Sequence, residues 1–163
     1  MKRVAILLAL SLLINGCGSG RPTAQSAAGG LWQAQLSGGA GNSSGFSFNT
    51  QFTVGGNGDL SISNFEFLND NSNSCFPIDG GTVSGNMALT QNMANNTVTG
   101  SMTFTVSSGG NTLTLGGDGS SVTGTIVGTT LSDGMATGNW SLTGSGGACP
   151  NATGSFTMTQ TSS

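Results

Sequence analysis

Val98-Thr99-Gly100-Ser101-Met102-Thr103-Phe104 puts an apolar residue or a glycine at every second place and a hydroxyl residue at each place between. Side chains of an extended strand point alternately to opposite faces. This stretch therefore lays Val98, Gly100, Met102 and Phe104 on one side and Thr99, Ser101 and Thr103 on the other. The pattern returns in Val83-Ser84-Gly85-Asn86-Met87-Ala88-Leu89, Val122-Thr123-Gly124-Thr125-Ile126, Ala136-Thr137-Gly138-Asn139-Trp140-Ser141-Leu142 and Ala152-Thr153-Gly154-Ser155-Phe156-Thr157-Met158. Each copy reads as one strand, with its glycine on the same face as the core residues. Glycine costs strand stability there, yet it lets a sheet coil sharply or lets an opposing side chain approach the backbone. The copies begin at Val83, Val98, Val122, Ala136 and Ala152, intervals too uneven for a solenoid of equal coils. Successive hairpins of one curved sheet fit better.

The same period of two runs through Phe46-Ser47-Phe48 and on to Phe52 and Val54. It changes phase between Ile62 and Phe65 in Leu60-Ser61-Ile62-Ser63-Asn64-Phe65-Glu66-Phe67, which predicts a bulge that re-aims half of that strand. Turn signals separate the runs: Gly55-Gly56-Asn57-Gly58, Asp79-Gly80-Gly81, Asn95-Asn96, Gly109-Gly110-Asn111, Gly116-Gly117-Asp118-Gly119 and Asp133-Gly134. No helical stripe follows Ile14. The chain therefore reads as all-β, an antiparallel up-and-down meander of roughly nine strands closing into a small barrel, since closure removes exposed edges. A β-sandwich is the alternative. In Leu31-Trp32, the Val-Thr-Gly strands and Gly138-Asn139-Trp140, the chain loosely resembles avidin-like and lipocalin-like small barrels. That resemblance implies a fold and carries over no binding residue.

The amino end is of another kind. Lys2 and Arg3 precede an uncharged apolar run over 4–14, too short to span a bilayer permanently, and Leu13-Ile14-Asn15-Gly16-Cys17 follows. This tail resembles the lipobox of bacterial lipoproteins. The resemblance implies cleavage before Cys17, acylation of its sulfur and amino group, and a mature chain anchored by those acyl chains. It also implies the bacterial outer membrane, facing the periplasm or the cell surface, because Gly18 is not the Asp that retains many such proteins at the inner membrane. Three cysteines are present, an odd number. With Cys17 assigned to lipid, Cys75 and Cys149 remain to pair in an oxidising compartment, and closing that loop is worth on the order of 4 kcal/mol. The domain plan is then signal peptide over 1–16, lipidated Cys and flexible Gly/Ser/Ala-rich tether over 17–30, and a single β domain over 31–163.

The formal charge is −3, and losing Lys2 and Arg3 with the signal takes it to −5 with Arg21 the one base left. No basic patch for nucleic acid or for an anionic bilayer can be built from one Arg. Catalytic chemistry is equally hard to assemble: the chain has no His and no Tyr, so the many Ser and Thr lack an activating base. Asp59, Asp79, Asp118 and Asp133 sit beside glycine, where Asp stabilises turns. Glu66 alternates outward between Phe65 and Phe67, which leaves Glu66 with Asp70 a poor acid pair. Gly55-Gly56-Asn57-Gly58-Asp59 and Gly116-Gly117-Asp118-Gly119-Ser120-Ser121 depart from calcium-binding repeats and lack the carboxylates calcium needs. No cofactor, metal ligand or catalytic residue is therefore assigned. The first functional reading is a non-enzymatic, membrane-anchored binding or structural domain whose partner is a protein, a glycan or a small molecule. The alternative is a carrier holding an apolar ligand among Phe46, Phe48, Phe52, Met87, Met102, Phe104, Trp140 and Phe156, residues that would equally serve as a filled core. An enzyme comes last.

Overall fold

The computed structural model describes residues 22–38, 46–68, 75–76, 81–147 and 149–162. The protein is all-β and antiparallel, and among the described residues there is one short helix: α1 (Ala24–Ala28), β1 (Gly30–Ser37), β2 (Ser47–Val54), β3 (Leu60–Phe67), β4 (Thr82–Asn92), β5 (Thr97–Ser108), β6 (Asn111–Gly116), β7 (Ser121–Val127), β8 (Thr130–Thr143) and β9 (Ala152–Ser162). All nine strands belong to a single sheet, so the sandwich alternative does not apply. Consecutive strands pair as in a meander except at β3–β4 and β6–β7, and β9 returns to β1, with Ala34 opposite Met158 and Leu36 opposite Phe156.

Two departures from the expected barrel have local causes. Both β6 and β7 pair with β5 on one side and with β8 on the other. They therefore share one place in the ring, as two halves of a strand interrupted over 117–120. At the break the Ser120 hydroxyl stands in for a ladder partner, accepting from the Met102 N–H at 3.0 Å. Gly116-Gly117-Asp118-Gly119 is thus an excursion within a strand, where the sequence predicted a hairpin turn. The second departure is incomplete closure. Among the described residues β4 meets the β2–β3 turn at one bridge, Asp59 with Asn86, and β3 and β4 share no ladder. The sheet is ring-like rather than a closed barrel. The predicted bulge lies on this β3 margin: Phe52 pairs with Ile62 and Gln51 with Asn64, leaving Ser63 as the extra residue. An extra residue bends a strand and raises its twist, which turns the upper half of β3 away from a straight partner. Thr50, buried on the inner face of β2, uses its hydroxyl to donate to the Asn64 carbonyl beside the bulge.

A second bulge sits in β8, where Thr123 faces Met135 but Thr125 faces Ser132. Asp133 adopts φ 53°, a left-handed conformation that Asp tolerates better than most residues. Asp133-Gly134 therefore bends a continuous strand and is not the turn read from sequence. The true β7–β8 turn is at Gly128-Thr129, with Gly128 at φ 64°.

The inner face carries the apolar repeat as expected. Val98, Met102, Phe104 and Val106 are buried, as are Val122, Ile126, Ala136, Trp140, Leu142, Phe156 and Met158. Each repeat glycine shares this face and lies across from a large side chain on the next strand. Gly154 faces Trp140, Gly138 faces Phe156 and Gly85 faces Phe104. A Cβ on Gly154 would meet the Trp140 ring at 2.6 Å and the Ser37 carbonyl at 2.2 Å. One on Gly100 would meet the Ala88 carbonyl at 2.1 Å.

The two ends of the ring are covered differently. At one end, α1 begins at the N-cap Thr23, whose hydroxyl accepts from the Ser26 N–H, and it buries Ala24, Ala27 and Ala28. The Trp32 indole N–H donates to the Ala28 carbonyl at 2.9 Å. Residues 24–30 are thus part of the folded domain, where the sequence predicted tether over 17–30. The helix escaped the sequence reading because five residues are too few to show a stripe. At the other end lie the β1–β2, β3–β4, β5–β6 and β8–β9 connections.

The glycine positions set a direct expectation. Gly100→Ala should destabilise by about 1–3 kcal/mol, because the backbone carbonyl of Ala88 must move to admit the methyl, and Gly100→Val by more. Ser101→Val, on the exposed face, should stay within about 0.5 kcal/mol. Denaturant titration checks this ordering, and equal losses at both positions would contradict it.

Candidate functional site

The clearest chemistry of the site-forming residues is covalent. Cys75, between β3 and β4, and Cys149, between β8 and β9, form a disulfide with 5.1 Å between their Cα atoms. The directions of the antiparallel strands put both connections at the same end of the ring. A buried amide runs alongside the bond: Asn111 donates from Nδ2 to the Cys75 carbonyl at 2.7 Å and accepts on Oδ1 from the Ser145 N–H at 2.6 Å. Cys75 and Cys149 are themselves buried, and Phe76 packs edge-on against Phe46, with ring centres 6.1 Å apart. This end is therefore a fixed cap: one covalent link, one two-ended amide and an aromatic plug. Nothing in the sequence singled out Asn111, since only the fold brings the two loops to it.

The residues proposed from sequence to line a ligand space all come together. Phe46, Phe48, Phe52, Met87, Met102, Phe104, Trp140 and Phe156 are buried in one continuous cluster. Their rings face one another. Phe48 stacks on Phe104 at 5.4 Å, Phe46 meets Trp140 edge-on at 6.0 Å, and Trp32 stacks on Phe52 at 5.9 Å. Such contacts add about 0.5–1.5 kcal/mol each beyond the area they bury. The Trp140 N–H donates to the Ser37 carbonyl at 3.2 Å, so the polar edge of that ring is also engaged.

On the outer face of β6, β8 and β9 lies an open groove of about 460 Å³ lined by Thr114, Gly116, Asn139, Trp140, Ser141, Thr153 and Gly154. Cross-strand register creates it: Thr114 pairs with Ser141 and Ser141 with Thr153, which sets hydroxyls in a row with the Asn139 amide beside them. These groups both donate and accept, and none carries a charge. Outward alternation of Asn139 and Ser141 was legible in the sequence. Their convergence with Thr114 and Thr153 was not, because it depends on register between distant strands.

The acids stay apart among the described residues. Glu66 is exposed on β3 and pairs across the ladder with Asn49, as alternation predicted. Asp59 accepts from Asn86 at 3.3 Å and is bonded also by the Asn57 amide, so this Gly-rich turn is stabilised by its own Asn57 and by Asn86 of β4. Asp118 and Asp133 are exposed. No three His, Cys, Asp or Glu among the described residues are grouped to hold a metal. Cys17, Asp70 and Asp79 lie outside the described residues. No protein-family model, curated protein or solved structure matches this chain.

The disulfide and Asn111 should contribute separately. Replacing Cys75 and Cys149 together by Ser should cost about 2–5 kcal/mol. With the disulfide intact, Asn111→Ala should cost about 1–3 kcal/mol by leaving the Cys75 carbonyl and the Ser145 N–H without partners. Thermal unfolding with and without reductant measures both, and a wild-type protein indifferent to reductant would contradict the first.

Proposed function

We propose that this chain is an exported lipoprotein of the bacterial outer membrane, anchored through acyl chains on Cys17. Its β domain serves a binding or structural role without catalysis, facing the periplasm or the cell surface. One observation carries the reading: Cys75 and Cys149 are joined to each other, so of three cysteines only Cys17 is left, at the end of the signal-like apolar segment. A disulfide suits an oxidising compartment, and a single leftover cysteine placed where a lipobox would put it suits acylation. At about 0.8 kcal/mol per buried methylene, two or more acyl chains hold a protein stably at a bilayer without any basic surface, which a mature chain with Arg21 as its one base does not have.

The non-catalytic part rests on composition and placement. A chain without His or Tyr has few general bases, and its described acids are distributed over separate turns and faces. For a binding role, the outer groove at Thr114, Asn139, Ser141 and Thr153 offers uncharged donors and acceptors, which suits a glycan or a polar protein segment better than an ion. The carrier alternative would need Phe48, Phe104 and Trp140 to face a ligand, and in the structure their rings face other side chains.

Cys17→Ser tests the anchor. In the native host, the unchanged protein should incorporate labelled palmitate and partition into detergent, and the Cys17→Ser protein should do neither. A variant that still takes up label and enters the detergent phase would place the anchor elsewhere and remove the reading.

A further inference from the structure

Among the described residues the exposed large apolar side chains are Leu68, Met93, Val127 and Met135. Two of them are at hairpin tips. Met93, 61% exposed, is in the β4–β5 turn, and Val127, 60% exposed, ends β7 at the β7–β8 turn. The two turns are neighbours, since the Ile126 N–H donates to the Asn96 carbonyl at 2.9 Å. Both belong to the end of the ring that α1 covers.

Their height relative to α1 follows from the ladder. Gln25 of the helix donates to the Leu89 carbonyl, and Gln160 donates to the carbonyls of Ala27 and Gly29. The helix therefore sits level with Leu89 on β4 and with Gln160 on β9, which lies one residue beyond the Thr159–Met135 pair. Met93 comes four residues after Leu89, and Val127 pairs with Thr130, five residues before Met135. At about 3.3 Å per residue along the strands, the tips lie roughly 10–13 Å beyond these helix contacts.

The chain leading to α1 enters at the same end. Pro22 is its first described residue, five residues after Cys17. Even fully extended, five residues span no more than about 18 Å. An acylated Cys17 in a bilayer therefore keeps the helix end of the ring within that distance of the surface, and the tips cover more than half of it. From this geometry, and resting on the anchoring reading above, we infer that the helix-covered end docks on the lipid surface. Met93 and Val127 then enter the headgroup region, while the disulfide-tied end and the outer groove face away. Charge does not drive the contact, because Asp59 and Asp133 lie toward the same end. The occupant is an uncharged or zwitterionic lipid surface met by apolar side chains.

Tryptophans introduced one at a time read this orientation, since the native Trp32 and Trp140 are buried in every variant and their shared emission is subtracted using the unchanged protein. Met93→Trp, Val127→Trp and Leu68→Trp proteins, expressed in the native host and purified as processed there, would be reconstituted in phosphatidylcholine vesicles with brominated acyl chains. Leu68 is 44% exposed at the opposite end and serves as the control. Side chains about 5–10 Å into the headgroup boundary should be quenched at least about twofold more than Leu68→Trp. Vesicle flotation is scored on the same samples. Proteins that float while all three tryptophans quench alike, or while Leu68→Trp quenches most, overturn the docked orientation and leave the anchor standing. Proteins that fail to float overturn the anchor, and the orientation with it.

Discussion

Space inside a small ring is the constraint on which the rest of this structure depends. Eight places around a sheet enclose room for side chains and little else, so a large residue can point inward only where its neighbour on the next strand yields. The repeat supplies that exchange at each level: Gly154 yields to Trp140, Gly138 to Phe156, Gly85 to Phe104. Ala34 does the same between Phe48 and Met158. A glycine across from an aromatic ring recovers some of the burial it forgoes, since the ring covers its bare backbone.

A ring packed this way still has open ends, and burial there must be supplied by elements that are not strands. The helix end is closed by three alanines and fastened through Trp32, whose polar edge is satisfied by the helix it supports. The other end is closed by loops, which cannot bury themselves on apolar contact alone and are held by Cys75–Cys149 and Asn111. Flexible Ser, Thr and Gly connections lose much conformational freedom on ordering, so a covalent link that limits their unfolded freedom matters more here than it would between helices.

What could be read from the sequence was what depends on neighbours along the chain. Alternation placed the repeat glycines inside, the phase change at Ile62 and Phe65 gave the bulge at Ser63, and cysteine arithmetic gave the disulfide. What escaped depends on partners far away. Gly116-Gly117-Asp118-Gly119 has the composition of a hairpin turn, and only the shared pairing of β6 and β7 with β5 and β8 shows that the strand resumes in the same direction. Asp133-Gly134 likewise has turn chemistry but serves a bulge, while the real turn at Gly128-Thr129 carries a single glycine as its signal. The incomplete seam between β3 and β4 and the hydroxyl row on β6, β8 and β9 are both matters of register, which local pattern does not encode.

Pairing of the first strand with the last has a kinetic side. Trp32 finds its β9 partner at Gln160, so the ring cannot be completed until all nine of these strands are available. Until then β1 and β8 both present bare edges, and the intervening hairpins can form only as separate pieces. Contacts between such distant segments are closed late and slowly, because loop entropy is lost before packing repays it. Hairpins formed before that closure keep unpaired edges, which are exposed to mispairing with neighbouring chains. β9 acts as a latch, since its pairing with both β1 and β8 joins the two flanks of the ring.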